Sequence, residues 1–316
     1  MQDGSLFVGV DVAKDDLAIA SEPRAVRLVL RNRPDAIAAW LHGLAPGTCI
    51  AMESTGRHHL ELARLAVQAA MKVYVLNARD VHYYAKALGK RGKTDASDAE
   101  VIARYLAEHH GKLRCWAEGT REQVRLVELL RRRAQVERHL SAIRQSLQGV
   151  AELQAQCSAL GHQADELLAT IDRKIQALIA SDPVMSEGQA RLQTIVGIGP
   201  QTSALLTALL SRIGFTSVDA LVAYSGLDPR PADSGAKRGR RVLSKRGPAQ
   251  LRRLLWLAAF SASHSKVFAA QYQAIRRKGL SSTESVVILA RKLLRIAWAV
   301  WRTGLPFDPA KVQLAS

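Results

Sequence analysis

Cysteine is scarce in this sequence, with three in 316 residues: Cys49, Cys115 and Cys157. They lie far apart and show no paired spacing, which argues against a disulfide scaffold or a cysteine zinc site. They read as ordinary thiols of a reducing compartment. No apolar run reaches the roughly 18 residues that a membrane span needs, and the first residues lack a signal-peptide layout. A cytoplasmic protein with no membrane partner is expected. Acids are scarce in one part only. From Pro200 onward 19 Lys and Arg face 5 Asp and Glu, whereas the first 199 residues hold 26 against 23. The C-terminal third therefore carries most of the net charge of +17, as expected of a surface that tracks phosphates.

What is present suggests two kinds of structure. Leu6 to Asp11 is an apolar run ending in an acid, followed by two further strand-like segments, Asp16 to Ala20 and Ala25 to Leu30. Helical spacing over Pro34 to Leu44 and His58 to Ala70 alternates with strands at Thr48 to Met52 and Lys72 to Leu76. A helix is expected over Ala96 to His109. This order predicts an α/β domain with a mixed sheet over residues 1–118. From Leu126 to Leu178 one a/d phase holds across mostly apolar positions, which predicts a coiled-coil helical spacer over residues 119–184. Gly149 and Gly161 weaken it near the middle, so two antiparallel helices within one chain are the alternative arrangement. Residues 185–316 read as mostly α-helical, with a Gly/Pro/Asp-rich loop from Ser225 to Arg241.

Four carboxylates stand out. Asp11 and Glu53 each end a predicted strand, where neighbouring strands can bring side chains together. Asp95 and Asp98 are three apart at a helix start, so both can face one side. Four converging acids repel one another unless cations lie between them. Oxygen ligands of this kind suit Mg²⁺ or Mn²⁺ and phosphoryl transfer. The competing reading makes Asp95 a helix cap, Asp98 a favourable first-turn acid and Asp11 a turn residue.

The second constellation is the Ser225–Arg241 loop with the basic stretch that follows. Glycines let amides approach an anion, and Lys237, Arg238, Arg240, Arg241, Lys245 and Arg246 suit phosphate. Arg252 and Arg253 extend this cationic strip, and Lys93 adds a cation before Asp95. A hydroxyl at Ser234 could attack phosphorus if its proton is removed. The plainer reading of Ser234-Gly235 is a turn pair. Ser244 is a rival nucleophile or a helix cap. Gly197-Ile198-Gly199 looks like a helix-hairpin-helix turn whose amides hold a DNA phosphate, or a simple αα-corner.

Three blocks resemble the insertion sequence 110 family of transposases: Val8-Gly9-Val10-Asp11-Val12-Ala13-Lys14, Met52-Glu53-Ser54-Thr55-Gly56 and Lys93-Thr94-Asp95-Ala96-Ser97-Asp98-Ala99. Val196 to Gly199, Gly226 to Pro229, Ser234-Gly235, Leu243 to Gly247 and Gly304 to Asp308 resemble its C-terminal part, in the same order. The resemblance implies a RuvC-like, ribonuclease-H-like N-terminal domain, then the spacer and a helical transposase domain. It implies that Asp11, Glu53, Asp95 and Asp98 bind Mg²⁺ (or Mn²⁺) and that Ser234 forms a covalent bond to DNA. It also implies homo-oligomers, dimers or tetramers, acting on element ends and target DNA on the bacterial nucleoid, with a bridge RNA as partner. The loop after Ser234-Gly235 is richer in Arg than the family pattern, which bears on its nucleic-acid contacts.

Three rival readings stand beside this one. A RuvC-like junction nuclease would use water and dispense with the serine. A non-catalytic nucleic-acid scaffold would explain the charge but not the placement of the acids. An actin-like ATPase would need a late Gly-rich adenosine motif, which the sequence lacks.

Overall fold

The computed structural model describes residues 6–23, 26–54, 58–89, 95–230 and 242–313. The chain separates into two compact units, Met1–Glu118 and Gly119–Ser316.

The first unit is a mixed α/β layer structure. Its strands are β1 (Phe7–Val12), β2 (Asp16–Glu22), β3 (Arg27–Arg31), β4 (Cys49–Glu53) and β5 (Lys72–Leu76). They form one sheet in the order β3-β2-β1-β4-β5. The first three pair antiparallel as a meander, and β1, β4 and β5 are parallel. Parallel strands need crossovers, supplied here by α1 (Pro34–His42) and α2 (His59–Gln68). Both helices cover one face, where Ile37, Leu41 and Leu62 pack on Val8, Val10 and Val12. The opposite face is covered by α3 (Ala78–Ala87) and α4 (Asp95–His109). There Val81, Ile102 and Leu106 pack on Ala51, Tyr74 and Leu76. Ile102 and Leu106 are fully buried, which is worth about 1.5–3 kcal/mol per side chain. With both faces covered, β1 and β4 are apolar almost throughout, and this makes Asp11, one residue before the end of β1, and Glu53, at the end of β4, conspicuous.

Among its described residues the second unit is helical apart from one short pair of strands. α5 (Arg121–Ser146) opens on a capping box, in which the Thr120 hydroxyl accepts from the Gln123 amide and the Gln123 side chain accepts from the Thr120 amide. It turns at Gly149, whose φ is +86°, into α6 (Gln154–Ala180). The a/d stretch is thus not one continuous helix but an antiparallel pair within the chain. Arg133 bridges Asp172 and Arg144 bridges Asp165, so the two sequences run in opposite directions. Gly161 sits inside α6 without breaking it. At its base the pair joins a core: Leu126, Leu129, Ile175 and Ile179 share a cluster with Met185 and Ala208. Met185 belongs to α7 (Pro183–Gln193) and Ala208 to α8 (Pro200–Arg212). A larger cluster joins α8 and α9 (Val218–Ser225) to α10 (Ala249–Ser263) and α12 (Ser282–Thr303), with Phe268 fully buried before α11 (Ala269–Arg276). Among the described residues no helix is long and apolar enough to cross a membrane.

Candidate functional site

The carboxylates follow from strand register. In the parallel pair β1–β4, Val10 lies opposite Met52, so the next positions are Asp11 and Glu53. Glu53 in turn lies opposite Leu76 on β5. Side chains alternate between faces along a strand. Val8, Val10 and Val12 belong to the α1/α2 face, which puts Gly9 and Asp11 on the α4 face. Cys49 and Ala51 are packed on the α4 face, and Glu53 shares their parity. Asp11 and Glu53 are therefore neighbours, both half-buried, at the C-terminal edge of the sheet.

Gly9 brings the helix to them. A Cβ built at this position would lie 2.2 Å from both the Ala99 carbonyl oxygen and the Ala103 amide nitrogen. Only glycine permits α4 to cross β1 this closely, and Ala18, Ala20 and Ala99 keep the neighbouring contact equally thin. Farther along, the Phe7 and His110 rings are 4.8 Å apart. α4 thus runs antiparallel to β1, with its N-terminal turn toward Asp11. Asp98, half-buried, sits one residue before the crossing point. The Asp95 side chain and Lys93 lie outside the described residues.

Strand register thus brings Asp11 and Glu53 to one edge, and the Gly9 contact brings the first turn of α4, which carries Asp98 and the backbone of Asp95, toward that edge. Among the described residues no three acidic, His or Cys side chains are gathered tightly enough to hold an ion by themselves. The donor chemistry nevertheless fits a hard divalent cation: all-oxygen and anionic, with no thiol or imidazole in the set.

In the second unit the chain between Arg230 and Val242 carries Ser234, Lys237, Arg238, Arg240 and Arg241, all outside the described residues. Its two ends are joined, because β6 (Pro229–Arg230) pairs antiparallel with β7 (Val242–Leu243). Directly after β7, Ser244 is 3% exposed, its amide donates to the Asp228 carbonyl at 3.0 Å, and its hydroxyl donates to the Asp228 carboxylate. Lys245 adopts φ +52° and its amide donates to the Gly226 carbonyl. Arg252 donates to the carbonyls of Ser225 (3.2 Å) and Gly247. Burial pushes its guanidinium below the usual value, yet an arginine stays charged. Arg252 is therefore directed at the backbone of Ser225 and Gly247, and Arg253 at Glu137 on α5 (3.0 Å). Lys245 and Arg246 are exposed. Sequence reading missed Asp228 as the partner of Ser244, since 16 residues separate them and no local spacing links them.

The glycine turn lies between α7 and α8. Gly197 has φ +93°, and a Cβ there would lie 2.4 Å from the Ala258 carbonyl oxygen, so packing against α10 already requires glycine. Gly199 precedes α8 with open space beside it. Both border a groove of about 620 Å³, lined also by Leu130, Arg133, Thr202 and Leu257.

With this geometry in place, comparison with known proteins is direct. Residues 8–154 match a family model described as transposase, of the DEDD type named for insertion sequence 110. Residues 189–273 match the model of the transposase IS116/IS110/IS902 family. The chain belongs to the insertion sequence 110 family of transposases. The two matched segments include Gly9, Asp11, Glu53, Asp98, Gly197, Gly199, Asp228, Ser244, Arg252 and Arg253. Family relatives extend the match. A pilin gene-inverting protein of Moraxella bovis is 29% identical, over 96% of this chain and 97% of its own length. The Moraxella lacunata protein of the same name is 28% identical over the same shares. A transposase for insertion sequence element IS1328 of Yersinia enterocolitica is 35% identical over 45% of this chain and 43% of its own. Family membership makes this transposase a DNA-processing enzyme.

Proposed function

We propose that this transposase cuts and rejoins DNA strands through a serine-linked intermediate formed beside the carboxylate layer. The observation that carries the proposal is the juxtaposition of Asp11 and Glu53 under the N-terminal turn of α4, within a chain of this family. The sheet order, with an antiparallel meander followed by two parallel strands, supports a RuvC-like, ribonuclease-H-like reading of the first unit. Asp11, Glu53, Asp95 and Asp98 would hold Mg²⁺ or Mn²⁺, which when bound stabilises charge developing on phosphate oxygens.

The serine step conserves bonds. The Ser234 oxygen forms a bond to phosphorus as the bond from phosphorus to a sugar oxygen breaks. The serine proton is passed on and the released sugar oxygen ends as a hydroxyl. Attack by another sugar hydroxyl reverses the step and rejoins strands without a high-energy cofactor. Lys237, Arg238, Arg240, Arg241, Lys245 and Arg246 neutralise phosphates along the path, joined by Lys93, two residues before Asp95 in the sequence. The turn at Gly197 and Gly199 offers amides to the backbone of DNA. Neither the acids nor the serine suffices alone, and we place them in one composite site contributed by two subunits of a dimer or tetramer. A bridge RNA selecting donor and target, and a nucleoid location in the bacterial cytoplasm, complete the proposal. The pilin gene-inverting relatives favour a second outcome of the same chemistry: inversion of a segment, which differs in the arrangement of sites rather than in the bonds exchanged.

Mixing subunits tests the composite site. Asp11→Ala and Ser234→Ala chains, each inactive alone, are expected to regain cleavage of element-end DNA when co-assembled with Mg²⁺ and flanking RNA. If no mixture ever cuts, the composite arrangement is wrong.

A further inference from the structure

The helix α3 bears a stripe that the proposed chemistry does not use. Arg79, His82, Tyr83 and Lys86 are exposed and recur at helical spacing on one face. The opposite face holds Val81, Tyr84, Ala85 and Leu88, packed onto the sheet and α4. The Arg79 guanidinium lies 5.7 Å from the centre of the Tyr83 ring, within cation–π range. The His82 and Tyr83 rings are 5.9 Å apart. Asp80 is the one acid in α3 and is half-buried rather than exposed.

Position gives the stripe its meaning. β5 ends at Leu76, directly opposite Glu53, and the Ser54 amide donates to the Leu76 carbonyl at 3.0 Å. The next residue, Asn77, caps α3 by accepting from the Arg79 amide at 2.9 Å. α3 therefore starts two residues beyond the line that carries Asp11 and Glu53, and Arg79 lies in its first turn. Lys86 follows two turns later, about 10 Å along the axis. A ring 45% exposed between two cations is the pattern of a single-strand platform: phosphates meet the charges and an unpaired base stacks on the ring. A duplex keeps its bases stacked internally and gains only the charge term.

We infer that the exposed face of α3 guides the DNA strand being cut, as an unpaired segment, into the carboxylate layer. Arg79 and Lys86 hold its phosphates and Tyr83 stacks one base. These are positioning residues, and the inference rests on the proposed function of that layer.

The test is fluorescence anisotropy of the full chain with a short single-stranded DNA end-labelled with fluorescein, titrated at several salt concentrations. Tyr83→Ala is expected to weaken binding about 5- to 150-fold, the equivalent of about 1–3 kcal/mol of stacking, while Tyr83→Phe binds as the parent does. Arg79→Ala and Lys86→Ala should each reduce the log–log salt slope by about 0.7. Duplex DNA should lose affinity with the two cation variants and not with Tyr83→Ala. Single-stranded DNA bound equally by all variants would overturn the inference, and so would a loss confined to RNA. If metal-dependent cutting by the parent chain persists in that case, the proposed function stands and only the role of α3 falls.

Discussion

Gly9 on β1 and Ala99 on α4 meet backbone to backbone, with no room for even a methyl group between them. This contact sets where the first turn of α4 lies relative to Asp11. Gly9→Ala must push the helix off the sheet, because both obstructing atoms belong to the main chain. Overpacking of this kind costs at least about 2 kcal/mol. Denaturant titration should show that loss, together with a larger loss of DNA cutting than the stability change explains.

The carboxylates should act through metal. Chelation with EDTA is expected to stop strand cutting, and Mg²⁺ or Mn²⁺ to restore it, whereas Ca²⁺ should restore DNA binding better than cutting. Asp98→Asn preserves shape and removes the charge. It should reduce the cutting rate by about two orders of magnitude or more, the scale of several kcal/mol of charge stabilisation. Cutting that survives chelation would contradict this.

Much of the first unit was legible because buried parallel strands are nearly all apolar, so an acid at the end of each stands out. Asp11 and Glu53 were found in this way. The role of Gly9 was not, since a helix crossing is a property of two distant segments. α3 was missed because Ala78–Ala87 buries only Val81 fully and mixes aromatic with charged residues, which blurs its periodicity. In the second unit the a/d pattern left the pairing open, and the structure has the antiparallel pair within the chain. Each helix of an antiparallel pair keeps an apolar seam toward the other, so the phase survives a reversal at Gly149. Gly161, which weakens the pattern, is tolerated within α6. Ser244, read as a rival to Ser234 or as a helix cap, is hydrogen-bonded to Asp228, a partner no local spacing reveals.

Ser244 should prove structural. It is buried and its hydroxyl is committed to Asp228. Ser244→Ala is expected to lower stability by about 1–2 kcal/mol, the cost of leaving the acceptor less satisfied. Cutting should persist at temperatures where the variant remains folded. Loss of cutting in a variant with an unchanged melting curve would return Ser244 to the chemistry.

The helical pair has its own register lock. Arg133 donates to Asp172 at 2.5 and 3.0 Å, with only 11% of the arginine side chain exposed. Asp172→Ala should cost about 2 kcal/mol. That is below the range for a fully buried pair, because the aspartate is 41% exposed. Replacing both by Leu should recover much of the loss, since apolar contacts then fill an a/d position. Urea unfolding of the two variants measures the difference.

The most direct measurement is a search for a covalent protein–DNA adduct. Parent chain, Ser234→Ala and Ser244→Ala would be incubated with element-end DNA, co-expressed flanking RNA and Mg²⁺, then resolved under denaturing conditions. An adduct is expected in the parent and in Ser244→Ala and is expected to be absent from Ser234→Ala. Metal-dependent cutting with no adduct in any of the three would contradict the serine-linked intermediate and leave a water-using nuclease in its place.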